Sequence, residues 1–313
     1  MYIIGIDLGG TNTDIGLLGD SGVVLARKNL KTGRYFDAQS LVNAMVEVIT
    51  KLMFDNNIEK VSGIGIGVPC GNYYDGSIDD AANLNFRGKT PLKTMMEEQL
   101  NVPVVVTNDA NAALYGEMIF GGAKGMEDVV MFTLGTGVGG AIATKGKILY
   151  GSDGFAGELG HSILFPNGRK CTCGNRGCLE AYASIRGIVQ TCAEMLQQYP
   201  NNELARIPIS ELNPKTIADA AHNGNPVAIE TYRRTGEWMG IAISNAVVFS
   251  SPQAIFITGG ILKAGDLLIQ PAKISFSKHK LYVYKNEIPI LTSQLNENDA
   301  AILGAAALSN SKI

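Results

Sequence analysis

A chain of 313 residues with 26 Lys and Arg against 29 Asp and Glu has no excess of positive charge to hold a phosphate backbone. No basic run relieves that balance, so nucleic acid is not expected as the main partner. The length suggests two domains and a core that needs no staples. No stretch approaches the roughly 18 uninterrupted apolar residues of a membrane span, because the most apolar helical segment, Met239 to Phe249, carries Ser244 and Asn245. The opening "MYIIGIDLGG" lacks a basic leader and meets Asp7 at once. The expected compartment is therefore the cytoplasm, where disulfides are rare.

In chain order, "YIIGIDLGGTNTDIGLLG" reads as strand, Gly-Thr turn, strand, and "GVVLARKNLKT" as a third strand. Leu41, Met45, Val48 and Leu52 recur at helical spacing between Ala38 and Phe54. "VSGIGIGVP" is a buried strand stopped by Pro69, "LKTMMEEQL" a short helix and "VPVVVTN" another buried strand. A helix then starts directly at Asp109. The design restarts in "DVVMFTLGTGVGGAIATKGKIL", with Gly9 and Thr11 finding counterparts near Gly135 and Thr136, and the turn Asp20-Ser21-Gly22 near Lys145-Gly146. This is an internal duplication and not a short-period repeat. Two such α/β halves suggest a cleft between them. Helices are expected at Ile185 to Gln198, Pro214 to His222 and Pro226 to Ser250, then a buried strand "AIFITGG", then a closing helix within "ENDAAILGAAALS". The domain division expected is 1–108 plus 297–313 against 109–296, with a metal-binding insertion near 157–180.

Phosphate chains bind where backbone N–H groups can approach without a side chain intervening, and a threonine hydroxyl adds a donor. "DLGGTNT" and "LGTGVGG" both meet that need; either alone reads as an ordinary hairpin, but the matched pair points to phosphate. Gly259-Gly260, ending a third strand, makes three backbone sites for one nucleotide. Asp7, at the end of the first strand, is either a turn former or a carboxylate near Mg²⁺, usually through water. Asp109 begins a helix at the carboxyl end of a strand, where α/β proteins place ligand chemistry. It is either the N-cap or an ionised carboxylate able to deprotonate an alcohol.

His161, Cys171, Cys173 and Cys178 lie within one short loop region. Three thiols cannot pair off among themselves, and Cys-x-Cys lacks the redox spacer, so the set points to structural Zn²⁺. A closed set leaves no open position for water, which makes the ion a clamp. Glu158 and Glu180 stand just before and just after the ligands, pinned so that they can accept hydrogen bonds from sugar hydroxyls. Cys192, in an apolar helix, reads as a core thiol.

With "GIDLGGTNT", "NDANAA", "LGTGVGG", "GELGH", "CTCGNRGCLE" and "ITGG" in place, the chain resembles the ROK family of repressors, open reading frames and sugar kinases along essentially its full length. The resemblance implies an α/β, actin-like ATPase (ribonuclease H-like) duplicated two-domain fold. It also implies ATP with Mg²⁺, structural zinc, and phosphorylation of a hexose or N-acetylhexosamine hydroxyl, most simply the 6-hydroxyl of glucose. It makes Asp109 the base, and Asn83, Asn108, Asp109, Glu158, His161 and Glu180 the sugar contacts. Gly9, Gly10, Thr11, Gly135, Thr136 and Gly137 become the phosphate grip, with Gly259 and Gly260 on the adenosine side. His161 would hold zinc on one ring nitrogen and face the sugar with the other. A homodimer is implied as well. Two departures bear on the sugar: Cys70 stands where glycine commonly follows "GVP", and "NLNF" with Phe86 replaces the commoner "NLP". The regulatory relatives carry an N-terminal helix-turn-helix, and the chain starts on its first strand, so a kinase is expected ahead of a sugar-sensing regulator.

Overall fold

The computed structural model describes every residue except Asp20, Ala82, Glu297, Asn298 and 310–313. The expected turn residue Asp20 and parts of the closing segment therefore lie outside the described residues. The chain divides into two compact units. One comprises Met1–Met126, Ile148–Ala156 and Ser293–Ile313, and the other Glu127–Lys147 and Gly157–Thr292.

The first unit opens with strands β1 (Tyr2–Leu8), β2 (Thr13–Gly19) and β3 (Val24–Leu30), followed by helix α1 (Ala38–Asp55). Asp37 caps α1 by accepting from Ser40 N at 2.8 Å. The helix buries Leu41, Val42, Met45, Ile49 and Leu52, so Ile49 rather than the expected Val48 completes its inner stripe. Next come β4 (Ile64–Gly67), a short hairpin of β5 (Ile78–Asp79) and β6 (Lys89–Thr90), α2 (Leu92–Leu100), β7 (Val104–Thr107) and α3 (Asp109–Phe120). The sheet order is β3-β2-β1-β4-β7. β1 to β3 run antiparallel, and β1, β4 and β7 run parallel.

The second unit repeats that order with β8 (Val129–Leu134), β9 (Val138–Thr144), β10 (Lys147–Ile148), β11 (Ala254–Thr258) and β12 (Ile290–Thr292), arranged β10-β9-β8-β11-β12. The β8–β9 pair is antiparallel, and β8, β11 and β12 are parallel. The sequence duplication is thus a duplication of topology. Helices α4 (Glu180–Ala183), α5 (Ile185–Leu196), α6 (Pro214–His222), α7 (Pro226–Ser250) and α8 (Asp266–His279) complete this unit. Asn213 and Asn225 cap α6 and α7, each directly before a proline at the first helical position, where the missing N–H costs nothing. The core of the unit gathers Val130, Phe132, Tyr232, Met239, Ile255 and Ile257, and Cys192 is buried among them as a small hydrophobe.

The last helix, α9 (Ala300–Leu308), packs on β1, β4 and α3 of the first unit. Glycines make that approach possible: a Cβ on Gly5 would lie 2.2 Å from Ile302 O, and one on Gly65 would lie 1.8 Å from Ala305 O. Because α3 packs on α9, it belongs to the first unit, and the division falls at 126/127 instead of the expected 108/109.

The same junction holds a buried carboxylate. Glu117 of α3, 1% exposed, accepts from Gly122 N at 2.8 Å, Gln294 N at 3.1 Å, Leu295 N at 3.4 Å and the Ser293 hydroxyl. Replacing it with alanine leaves four part-buried donors without their acceptor, each costing up to about 1–3 kcal/mol. Glu117→Ala is expected to lower stability in urea titration by at least about 3 kcal/mol; a loss below about 1 kcal/mol would show that water replaces the carboxylate. No described helix is long and apolar enough to cross a membrane.

Candidate active site

In the first unit the β1–β2 turn covers Gly9, Gly10, Thr11 and Asn12, closed by Gly9 N donating to Asn12 O at 2.9 Å. A Cβ on Gly10 would come within 2.3 Å of Asn83 O, so the turn and Asn83 touch, as two of the residues picked from sequence. Thr11 is exposed at the tip. Asp7 precedes the turn opposite Asp14, and burial, then the negative charges of Asp109 and Asp14, push its carboxyl up to about 7. Such crowding of carboxylates is the electrostatic setting a divalent cation relieves, so these residues fit Mg²⁺.

Asp109 is the first residue inside α3, and the cap is Asn108, whose Oδ1 accepts from Asn111 N at 3.0 Å. The expectation of Asp109 as the cap is therefore not met, since the asparagine before it fills that position. Asp109 Oδ1 accepts from Ala110 N at 2.9 Å. Surrounding protein pushes its carboxyl upward by desolvation, opposed by the N–H groups of Ala110 and of Asp109 itself. The residue is nevertheless exposed. The helix N-terminus beside it favours the charged form. Beneath it, Asn111 donates to Thr107 Oγ1 at 3.4 Å, a buried polar pair that sequence periodicity gave no reason to single out.

Cys70 adopts φ +57°, a left-handed conformation that glycine takes without strain. The departure from glycine at this position therefore costs the backbone on the order of 1 kcal/mol.

In the second unit the β8–β9 turn is Gly135, Thr136 and Gly137, with Gly135 N donating to Gly137 O at 3.0 Å. Gly259, at φ +110°, lies against it, since a Cβ there would be 2.2 Å from Leu134 O. Gly260 follows as the start of a single 3-10 turn.

The loop donors gather as the spacing suggested. One ligand atom each from His161, Cys171, Cys173 and Cys178 lies within 4.8 Å of the others. Cys171 Sγ is 3.6 Å from His161 Nδ1, and Cys173 Sγ is 3.7 Å from Cys178 Sγ. A tetrahedron with Zn–S legs of ~2.3 Å has edges of about 3.8 Å, so the donors fit zinc. Burial pushes the Cys178 thiol up to about 12 and raises Cys171, whereas at Cys173 desolvation is outweighed by hydrogen bonds from Asn175 N and the neighbouring thiols. A divalent ion would replace those protons.

His161 turns Nδ1 to the cysteines, and its Nε2 is 4.0 Å from Glu158 Oε2. Glu158 and His161 are held by the Gly157–His161 turn, which sits so close to β9 that a Cβ on Gly160 would meet Val138 O at 1.8 Å. Glu180 is the first residue of α4; its carboxylate accepts from Thr172 Oγ1 at 2.7 Å and from Val138 N at 3.1 Å. Thr172 was missed in the sequence, where a threonine between two metal-binding cysteines reads as filler. Arg169 anchors the loop from behind. It donates to Ala181 O, Gly187 O and Thr191 Oγ1 at 3.0–3.3 Å and stacks on Tyr182 and on Trp238, the chain's single tryptophan.

Residues 3–312 match a family model described as ROK family. A glucokinase of Halalkalibacterium halodurans is 32% identical over 98% of this chain and 94% of its own length. A xylose repressor of Caldicellulosiruptor bescii is 30% identical over 98% of this chain and 77% of its own. Among solved structures, a ROK family glucokinase from Streptomyces griseus in complex with glucose and AMPPNP has a TM-score of 0.84 at 31% identity, covering 99% of this chain and 100% of that one.

Proposed function

The chain belongs to the ROK family and has the actin-like ATPase fold, and on that premise we propose that it is an ATP-dependent sugar kinase of the glucokinase type acting on the 6-hydroxyl of a hexose. The observation that carries this reading is Asp109: an exposed carboxyl side chain at the head of α3 that is not used as its cap. Asp109 takes the proton of the sugar hydroxyl as that oxygen bonds to the γ-phosphorus of ATP; the bond to the bridging oxygen breaks and ADP leaves. A loose phosphoryl transition state asks for a weak base held in place more than for a strong one.

In the first unit, the Gly9–Asn12 turn offers backbone donors to phosphate oxygens, and Asn83 and Asn108 are assigned to sugar hydroxyls. In the second, the Gly135–Gly137 turn offers donors of the same kind, Gly259 and Gly260 are assigned to the adenosine, and Glu158, His161 and Glu180 to sugar hydroxyls. Mg²⁺, held near Asp7 through water, would neutralise charge on the phosphates. Zn²⁺ on His161, Cys171, Cys173 and Cys178 would fix the loop; were Nδ1 the ligand, His161 Nε2 would be left as a donor.

The test is ADP release from ATP and Mg²⁺ across glucose, mannose, fructose, allose, N-acetylglucosamine and N-acetylmannosamine. Glucose is expected to give the highest kcat/KM. A higher value with another sugar moves the assignment to that sugar, and none with any sugar rejects the kinase. The repressor relative motivates a second reading, a sugar-sensing regulator, which predicts sugar binding by calorimetry with no ADP formed.

A further inference from the structure

Both oxygens of Glu180 are engaged within the second unit. Oε1 accepts from Thr172 Oγ1 at 2.7 Å, and Oε2 accepts from Val138 N at 3.1 Å. Val138 opens β9 directly after the Gly135–Gly137 turn. A Cβ on Gly137 would stand 2.6 Å from Glu180 Oε2, so the carboxylate presses on the turn itself. A second tie comes from Ile185 N, which donates to Gly135 O at 2.9 Å. The turn is thus held at both ends by the segment that begins with Glu180.

We infer that Thr172 is a positioning residue: through Glu180 it sets the Gly135–Gly137 turn, and so couples sugar binding to nucleotide binding. The inference rests on the reading of Glu180 as a sugar contact and of the turn as a phosphate grip. A carboxylate has about four lone-pair sites. A sugar hydroxyl donating to Glu180 draws on the same oxygens that hold Val138 N–H and the Thr172 hydroxyl. How firmly Glu180 is aimed therefore decides how firmly the turn presents its own donors. Thr172 suits the task because its neighbours on both sides, Cys171 and Cys173, belong to the metal-binding set. With the ion bound, its backbone would be fixed by them, and its hydroxyl makes a charge-assisted bond of the stronger kind. Coupling of this sort is reciprocal: if sugar tightens nucleotide, nucleotide tightens sugar by the same factor.

The experiment is calorimetric titration of the zinc-loaded protein with AMPPNP and Mg²⁺, with and without saturating glucose, in the wild type, Thr172→Val and Thr172→Ser. In the wild type glucose is expected to tighten AMPPNP by at least about fivefold. Thr172→Val keeps the shape of the side chain and removes the donor. It should bring that ratio to within about twofold of unity and weaken glucose about tenfold, with zinc content unchanged. Thr172→Ser, which keeps the hydroxyl, should restore the wild-type ratio. A ratio unchanged in Thr172→Val, or a ratio of one in a wild type that binds both ligands, overturns the coupling and leaves the kinase reading standing. A wild type that binds neither ligand overturns both.

Discussion

Asp109→Asn lowers kcat by about 10²–10⁴ and leaves the fold and the metal content as they were. The amide fills the same space, and Asn108 keeps the helix cap, so α3 has no reason to unwind. Loss of a negative charge in the first turn costs about 0.3–1 kcal/mol at most, offset in part because surrounding protein disfavours that charge. What disappears is the only function an amide cannot mimic, acceptance of a proton. The KM for sugar should move far less than kcat, because the carbonyl of asparagine still accepts a hydrogen bond. Steady-state kinetics decide it: turnover within tenfold of wild type would remove Asp109 from the role of base.

Cys173→Ser is the second large effect. It replaces a soft ligand with a hard, weakly binding hydroxyl, and structural zinc ligation is worth ~10–16 kcal/mol in small domains. Here part of that is spent holding a loop already tied by Arg169 and by Leu164 N donating to Gly177 O at 2.8 Å, so the loop loosens and the unit survives. Metal analysis should fall from about one zinc per chain to well below half, and the KM for sugar should rise at least about tenfold as Glu158, His161 and Glu180 lose their common anchor. Trp238 gives an independent optical readout. Its ring centroid is 5.0 Å from that of Tyr182 and 6.1 Å from that of Phe165, with the Arg169 guanidinium 5.7 Å away. Its emission should shift on chelation in the wild type and be shifted from the start in the variant. An unchanged one-to-one metal ratio would remove Cys173 from the ligand set.

Much of this was legible in the chain because the informative contacts are local or periodic. The two glycine hairpins announce themselves as apolar strands around a Gly-Thr turn, and the topology repeats wherever that pattern repeats. The metal cluster was readable because all four donors come from one short segment. What escaped did so for physical reasons. Pro271 lies inside α8, where it removes an N–H and reads as a helix breaker, yet the helix continues through it, packed on α7. β12 has three residues, too few for any period to appear. The domain border was misplaced because α3 is held by α9, far along the chain. Glu117 gave no signal, since its hydroxyl partner Ser293 is 176 positions away. At the head of α3 the sequence did not show which residue caps the helix, because that depends on backbone angles at Asn108, φ −67° and ψ 149°, which no residue pattern states.

The glycine-lined seat of α9 against β1 and β4 has a consequence for biosynthesis. During translation the strands of the first unit leave the ribosome long before the helix that covers them. A nascent chain must therefore carry β1 and β4 with a bare, side-chain-poor face through the synthesis of the entire second unit, which can close its own sheet in the meantime. The later unit in sequence is thus the earlier one able to complete itself, because its last strand, β12, precedes α9 in the chain.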